Sequence, residues 1–563
     1  MNSPANEFDI AVIGAGPAGA TLATVLARAC LKVVVIDAGH HPRFAVGESM
    51  TPQAATLLRV IADRYDVPEL KRLTTFAAIS DAITSTCGIK RHDGFLYARE
   101  GQPARPAQAQ GLVIGGAAAA QSHLFRQDTD AWLFHLAVSY GARVRQRTTI
   151  TGVAADDAGV TLTTERGPDV RASYVVDTSG PGSPLAEKLD LREKPTRLRH
   201  HSRRLVTHLL GVPPLDLTTP RADHAQPVPW HTGTSHYVFP GGWLWVMPFG
   251  NHPRSTNELA SVGLNLDATP QSGSGTGGSA EDEFRAFIAR YPGMAQQLAG
   301  AKTIRSWVRT DRAQYSSHTT VGPRWCLIGD AAGFVDTLFS RDLTISLAMV
   351  NTLAGKLLEA VKADDFSAAR FTDVQKAQQA LLDFTDDLVA SAYVAFRDYR
   401  LWSAWFRIWA MAELLSICEI NRIHADYLSS RDSAVLARLD GLAPGGWLPG
   451  QAQSLLTEAS DHLRAVEEDR QDAATAATAI RQAVAAADFV LPALRLAEPA
   501  SRWLDLSPSG AQKITRWART GPPREIGQLV AEGLRPYVAQ PQAVGPRRTG
   551  KLRRPLAAKR SAH

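Results

Sequence analysis

Gly14-Ala15-Gly16-Pro17-Ala18-Gly19, set directly after the apolar run Phe8 to Ile13, constrains this chain more than any other stretch. The run before it predicts a buried strand. Apolar residues at helical spacing from Ala20 to Ala29 predict a helix, and Lys32 to Ile36 predict a second strand ending at Asp37. A strand, a glycine turn, a helix and a strand at this spacing form a βαβ unit on a parallel sheet. Gly14 permits the tight turn, Gly16 lets the backbone approach a pyrophosphate, and Gly19 lets helix and strand pack closely. Asp37 stands about 20 residues on, where an acid accepts hydrogen bonds from ribose hydroxyls. The unit predicts a dinucleotide site.

A second stretch near residue 330 supports it. Trp325 to Ile328 read as the end of a buried strand, Gly329-Asp330 as a turn, and Leu343 to Leu358 as a helix. Asp330 can accept hydrogen bonds from sugar or ribityl hydroxyls, and the helix start favours anions. Arg171 to Gly180 predicts another strand ending in an acidic turn, beside the adenosine end of such a cofactor.

At 563 residues the chain exceeds one hydrophobic core. The expected divisions are 1–200 and 306–360 for cofactor binding, 201–305 for a β-rich substrate layer, 361–540 for a helical region, and 541–563 for a disordered basic tail. From Leu534 onward there are eight Lys/Arg and no acid, so the preceding chain carries −2 against +6 overall. Nucleic-acid binding is therefore not expected. No run of about 18 apolar residues predicts a membrane span, and the N-terminus lacks a basic leader. Cys30, Cys87, Cys326 and Cys418 are scattered without a C-x-x-C pair, which excludes a metal or disulfide framework and points to the cytoplasm.

Between these landmarks, His41 to Ser49 reads as a polar loop and Thr51 to Tyr65 as an amphipathic helix. Ser85 to Tyr97 reads as a strand or hairpin, in which Lys90 stands among alternating apolar residues and could face an interior. Gln102 to Gly116 is expected to be a mobile loop, and Leu124 to Tyr140 a helix. In Gly241 to Phe249, Trp243 and Trp245 fall on one face of a strand. Gln271 to Ser279 reads as a Gly/Ser loop. Beyond about Ala354 the chain is helical, and Trp402, Trp405, Phe406 and Trp409 follow core spacing.

The motif order resembles the flavin-dependent halogenases, two-component enzymes of natural-product biosynthesis. The residues that carry this are Pro42-Arg43-Phe44-Ala45-Val46-Gly47-Glu48-Ser49, Phe125-Arg126-Gln127-Asp128, Trp243-Leu244-Trp245-Val246-Met247-Pro248 and Gly329-Asp330. Within that family the chain looks most like the halogenases of phenolic polyketides, of the tetracycline and phloroglucinol types. The resemblance implies an α/β fold: a Rossmann-type FAD-binding domain of the glutathione-reductase/p-hydroxybenzoate-hydroxylase kind, a β-sheet substrate layer and a C-terminal helical region. It implies FAD contacts at Gly14, Gly16, Ala18, Gly19, Asp37, Arg43, Glu48, Arg126, Asp330 and Leu343. Lys90 is implied to receive hypohalous acid beside an electron-rich aromatic substrate, free or carrier-bound, while Trp243 and Trp245 keep that substrate from the flavin. FADH2 from a separate reductase, O2 and chloride or bromide complete the implied reaction.

One departure matters. The family seats halide on backbone N–H groups of an x-Gly pair. Here that pair is Arg341-Asp342, and Thr337 stands for a proline. Aspartate is uncommon at φ > 0 and brings negative charge to an anion site. Arg341 could compensate, or Asp342 could turn outward. Asp342 therefore favours an alternative: a halogenase-like FAD monooxygenase or oxidase that does not use halide. A silent flavoprotein scaffold is a third reading, and His92 is a weak candidate for a base beside Lys90.

Overall fold

The structure is a computed structural model that describes residues 7–116, 119–219, 222–268, 278–440, 447–519, 521 and 524–538. The basic tail and most of the Gly/Ser loop lie outside the described residues.

Phe8–Ile13, Val33–Ile36, Arg143–Arg145, Val170–Asp177 and Trp325–Leu327 pair in parallel, with Phe8–Ile13 between Val33–Ile36 and Val170–Asp177. Valines and isoleucines fill the central strands without polar alternation because helices and a strand meander cover both faces. Helices Pro17–Arg28, Pro52–Arg64 and Arg341–Ala363 share one core with this sheet. Among the described residues only Arg341–Ala363 is long and apolar enough to cross a membrane, and 67% of its apolar window is buried inside the fold.

A nine-stranded sheet stands beside it. Its centre runs Ser202–Leu210, Leu259–Asp267, Gly242–Pro248, Thr234–Phe239, His92–Tyr97 and Ala109–Val113. Side-chain alternation sorts this sheet by function. Leu205, Leu209, Leu244, Val246, Tyr237 and Phe239 enter one core. Val206, Trp243, Trp245, Val238, Phe95 and Tyr97 turn the other way, against the long helix Tyr399–Ser430.

Three expectations change. Ser85 to Tyr97 is not a hairpin: Gly88–Lys90 pairs with Gln121–His123, while His92–Tyr97 enters the large sheet. Gln102 to Gly116 is not a loop throughout, because Ala109–Val113 is a buried strand between His92–Tyr97 and Trp503–Asp505. Gly111 allows this: a Cβ there would lie 2.4 Å from the Trp503 ring. Trp503–Asp505 is in turn a strand inside the segment expected to be helical.

Candidate active site

Glycine builds the first turn of the site. Gly14 has φ +94°, and a Cβ on Gly19 would lie 2.0 Å from the Gly14 carbonyl oxygen. Only glycine fits such a close strand–helix approach. At Gly16 a Cβ would meet nothing within 4 Å, and helix Pro17–Arg28 has no side-chain cap. Its free N–H groups face open space, an arrangement suited to an anion. Asp37 accepts hydrogen bonds from the N–H groups of Ala15 and Gly39, each at 2.7 Å, and from Arg43 at 2.9 Å. Gly16→Ala should leave thermal stability unchanged and weaken FAD binding on the order of tenfold, as a methyl group intrudes on the pyrophosphate. FAD fluorescence titration and a melting curve check this together.

From that turn a cleft of about 440 Å³ runs past Ala18, Arg43, Arg126, Asp330, Asp342 and Leu343. Arg126 pairs with Asp130 at 2.7 Å and donates to the carbonyls of Val46 and Gly47 at 2.7 and 3.0 Å. It thereby ties the polar loop to the helix Arg126–Ser139. Gly329, at φ +60°, swings Asp330 into the cleft. Burial raises the Asp330 carboxyl above its ordinary range, opposed by the guanidinium groups of Arg204 and Arg126, and the carboxyl has no hydrogen-bond partner among the described residues. An uncapped helix start, three guanidinium groups and a half-buried carboxyl without a hydrogen-bond partner among the described residues suit the pyrophosphate and ribityl parts of FAD.

Beyond the cleft lies Lys90, with only 1% of its side chain exposed. Its Nζ donates to Ser49 Oγ at 2.8 Å and the Met50 carbonyl at 3.3 Å, and pairs with Asp93 at 3.0 Å. Burial opposes ionisation of Asp93, but the Lys90 ammonium, with His236, holds its carboxyl below the usual range. Asn251 pins the short strand by exchanging two 2.8 Å hydrogen bonds with the Ile89 backbone. Trp243 and Trp245 lie side by side with centroids 5.3 Å apart, and Trp245 occupies the space a side chain on Gly263 would need. Phe339, Trp405, Trp409 and Phe95 continue the aromatic wall.

An FAD binding domain family model matches residues 7–337. Tetracycline 7-halogenase of Kitasatospora aureofaciens is 40% identical over 536 residues, covering 93% of this chain and 95% of that protein. The monodechloroaminopyrrolnitrin halogenase PrnC of Pseudomonas fluorescens is 40% identical over 542 residues, with the same coverage of 93% and 95%. The crystal structure of halogenase PltM in complex with phloroglucinol and FAD superposes with a TM-score of 0.85 at 31% identity, over 88% of this chain and 99% of that one. The chain belongs to the flavin-dependent halogenase family.

In this halogenase the Arg341-Asp342 pair differs from expectation in three ways. The left-handed residue is Ser340, at φ 52°, while Asp342 lies in the first turn of helix Arg341–Ala363, so no backbone strain falls on the aspartate. Asp342 does not turn outward; it borders both the cleft and a smaller cavity behind it. Arg341 turns toward Glu413 at 3.4 Å and Thr385 at 3.3 Å, so it compensates Asp342 less than Arg204 does. Burial raises the Asp342 carboxyl well above its ordinary range, reinforced by Asp330 and opposed first by Arg204.

Arg204 and His208 escaped the sequence reading. Both sit on Ser202–Leu210, at alternate positions of the face that carries Val206 toward the site. An Arg and a His at inward positions of one strand were the available signal. His92 is overturned as a base: its Nε2 bonds the Trp230 carbonyl at 2.9 Å, on the sheet face opposite Asp93.

Proposed function

We propose that this enzyme uses FADH2 from a separate reductase, O2 and chloride or bromide to halogenate an electron-rich phenolic ring, free or carrier-bound. Bound reduced FAD supplies the oxygen chemistry that turns halide into hypohalous acid. Asp37, Arg43, Arg126 and Asp330 orient the cofactor, and the first-turn N–H groups of helix Arg341–Ala363 hold the halide. The Trp243–Trp245 wall keeps the phenol from the flavin. Lys90 hydrogen-bonds or carries the hypohalous acid beside the ring carbon that attacks it.

The observation that supports this reading most is Lys90: a buried ammonium, fixed by Ser49, Met50 and Asp93 outside the cofactor cleft. Asp342 supports a second reading, an FAD monooxygenase or oxidase without halide. Supplying enzyme with FADH2, O2, bromide and phloroglucinol should give brominated phloroglucinol. Peroxide or hydroxylated product at every bromide concentration would overturn halogenation in favour of the second reading.

A further inference from the structure

Arg43, Arg126 and Arg204 all line the cofactor cleft, and the first two are committed to carboxylates. Arg43 holds Asp37 at 2.9 Å, and Arg126 holds Asp130 at 2.7 Å. The Arg204 guanidinium forms no hydrogen bond or ion pair among the described residues, and its Nε is buried without an acceptor. It stacks on the Phe334 ring, with the guanidinium carbon 4.8 Å from the ring centroid. A partly buried cation left without a carboxylate costs stability unless an anion meets it.

Strand register places this cation on the way to the tryptophan wall. Arg204 stands opposite Asn265, and Asn265 opposite Trp243. Directly opposed residues share a face of the sheet, so the three form one row running from the cleft to Trp243. The Asn265 side-chain nitrogen is also buried without a partner. With the pyrophosphate at Gly16 and the ribityl chain at Asp330, the flavin ring falls between Arg204 and the start of helix Arg341–Ala363. Burial raises the Asp330 carboxyl above its ordinary range and Asp342 well above it, the latter reinforced by Asp330. A carboxyl that keeps its proton does not neutralise Arg204, so this end of the cleft stays positive.

Flavin chemistry decides which state of the cofactor benefits. The oxidised ring is neutral, whereas the reduced ring loses its N1 proton near neutral pH and spreads the charge over N1 and the C2 carbonyl. Building on the reading above that reduced FAD arrives from a separate reductase, we propose that Arg204 is the counter-ion of the reduced-flavin monoanion. It makes the enzyme bind reduced FAD in preference to oxidised FAD, so that cofactor is captured on delivery and released once spent. The charged and titratable groups around Arg204 are Asp330, Asp342, Arg126, and Tyr315 with Arg192 stacked on it at 4.6 Å.

The test compares anaerobic binding of oxidised and chemically reduced FAD, and follows the midpoint potential of the bound flavin against pH. The wild type should bind reduced FAD at least ~10-fold more tightly at neutral pH, the order of one charge-assisted hydrogen bond. That ratio sets the bound potential about 30 mV above that of free FAD. Arg204→Met should remove the preference by weakening reduced-FAD binding, with oxidised-FAD binding nearly unchanged, and Arg204→Lys should keep most of it. A cation lowers the N1 pKa of reduced flavin, so the wild-type potential should fall by the one-proton slope, about 30 mV per pH unit, down to a lower pH than in the Met variant. Melting curves and oxidised-FAD binding verify the fold, and Arg204→Gln replaces Arg204→Met if the latter fails to fold. Equal loss of both flavin forms, or an unchanged preference and slope, would overturn the proposal. Unchanged flavin preference with weakened chloride binding would assign Arg204 to the halide instead. A wild type that prefers reduced FAD yet never halogenates phloroglucinol would overturn the halogenase reading and leave this one standing.

Discussion

Lys90→Met is expected to cut phenol halogenation at least ~10²-fold, the order a positioned acid–base group contributes, while hypohalous acid still reaches an external scavenger. The geometry separates the two activities: Lys90 does not line the cofactor cleft. The substitution also has a stability consequence. It leaves the Asp93 carboxylate without its cation, and breaking such a buried pair costs roughly 3–5 kcal/mol, toward the lower end here because 16% of the Asp93 side chain is exposed. Lys90→Met combined with Asp93→Leu removes both charges and should recover most of that stability without recovering halogenation. Melting temperatures and product analysis of the single and double variants check both halves. Halogenation by the double variant near the wild-type rate would remove Lys90 from the mechanism.

Asp342→Asn should lower the chloride KM on the order of tenfold at alkaline pH and leave it nearly unchanged at acidic pH. Two like charges 4 Å apart repel by several kcal/mol at an intermediate dielectric, a penalty that applies only when Asp342 is ionised. Its carboxyl is raised well above the ordinary range by burial first and Asp330 second. The wild-type chloride KM should therefore climb with pH, while that of the variant stays flat. The same shift sets the sign for stability. The folded protein holds a proton that the unfolded chain releases near pH 4, so Asp342 destabilises the fold increasingly as pH rises above that point, until its folded pKa is passed. Asp342→Asn should raise the melting temperature of the protein without cofactor, by more at pH 8 than at pH 5. Chloride curves that run parallel for the two proteins would sink this account.

The fold and the cofactor half of the site were legible because they depend on local rules. The turn at Gly14 to Gly19 needs glycines at fixed spacing, and a parallel strand buried on both faces reads as an apolar run. Alternation left Lys90 free to face an interior or the surface, and the family resemblance pointed inward; Trp243 and Trp245 were legible on one face from period-two alternation. Ala109–Val113 was misread because its glycine and glutamine resemble loop chemistry, whereas the glycine makes room for Trp503, nearly four hundred residues away.

Asp342 shows where local reasoning stops. Its residue type announced a conflict with an anion site, but the sequence could not say which residue takes the left-handed turn or which cation faces the carboxyl. The turn went to Ser340, Arg341 swung to Glu413, and Arg204 arrived from a strand well over a hundred residues earlier. By itself the sequence determined the βαβ cofactor turn and the paired tryptophans, because each follows from backbone geometry over a few residues. Only the tertiary structure decided the Lys90–Asp93 pair, the Arg305–His208–Glu48 hydrogen-bond chain and the charge balance at Asp342. The last two depend on burial and on through-space distances between segments remote in sequence, and the first on a chain turn that sends Lys90 and Asp93, three residues apart, into different sheets, which no local pattern encodes.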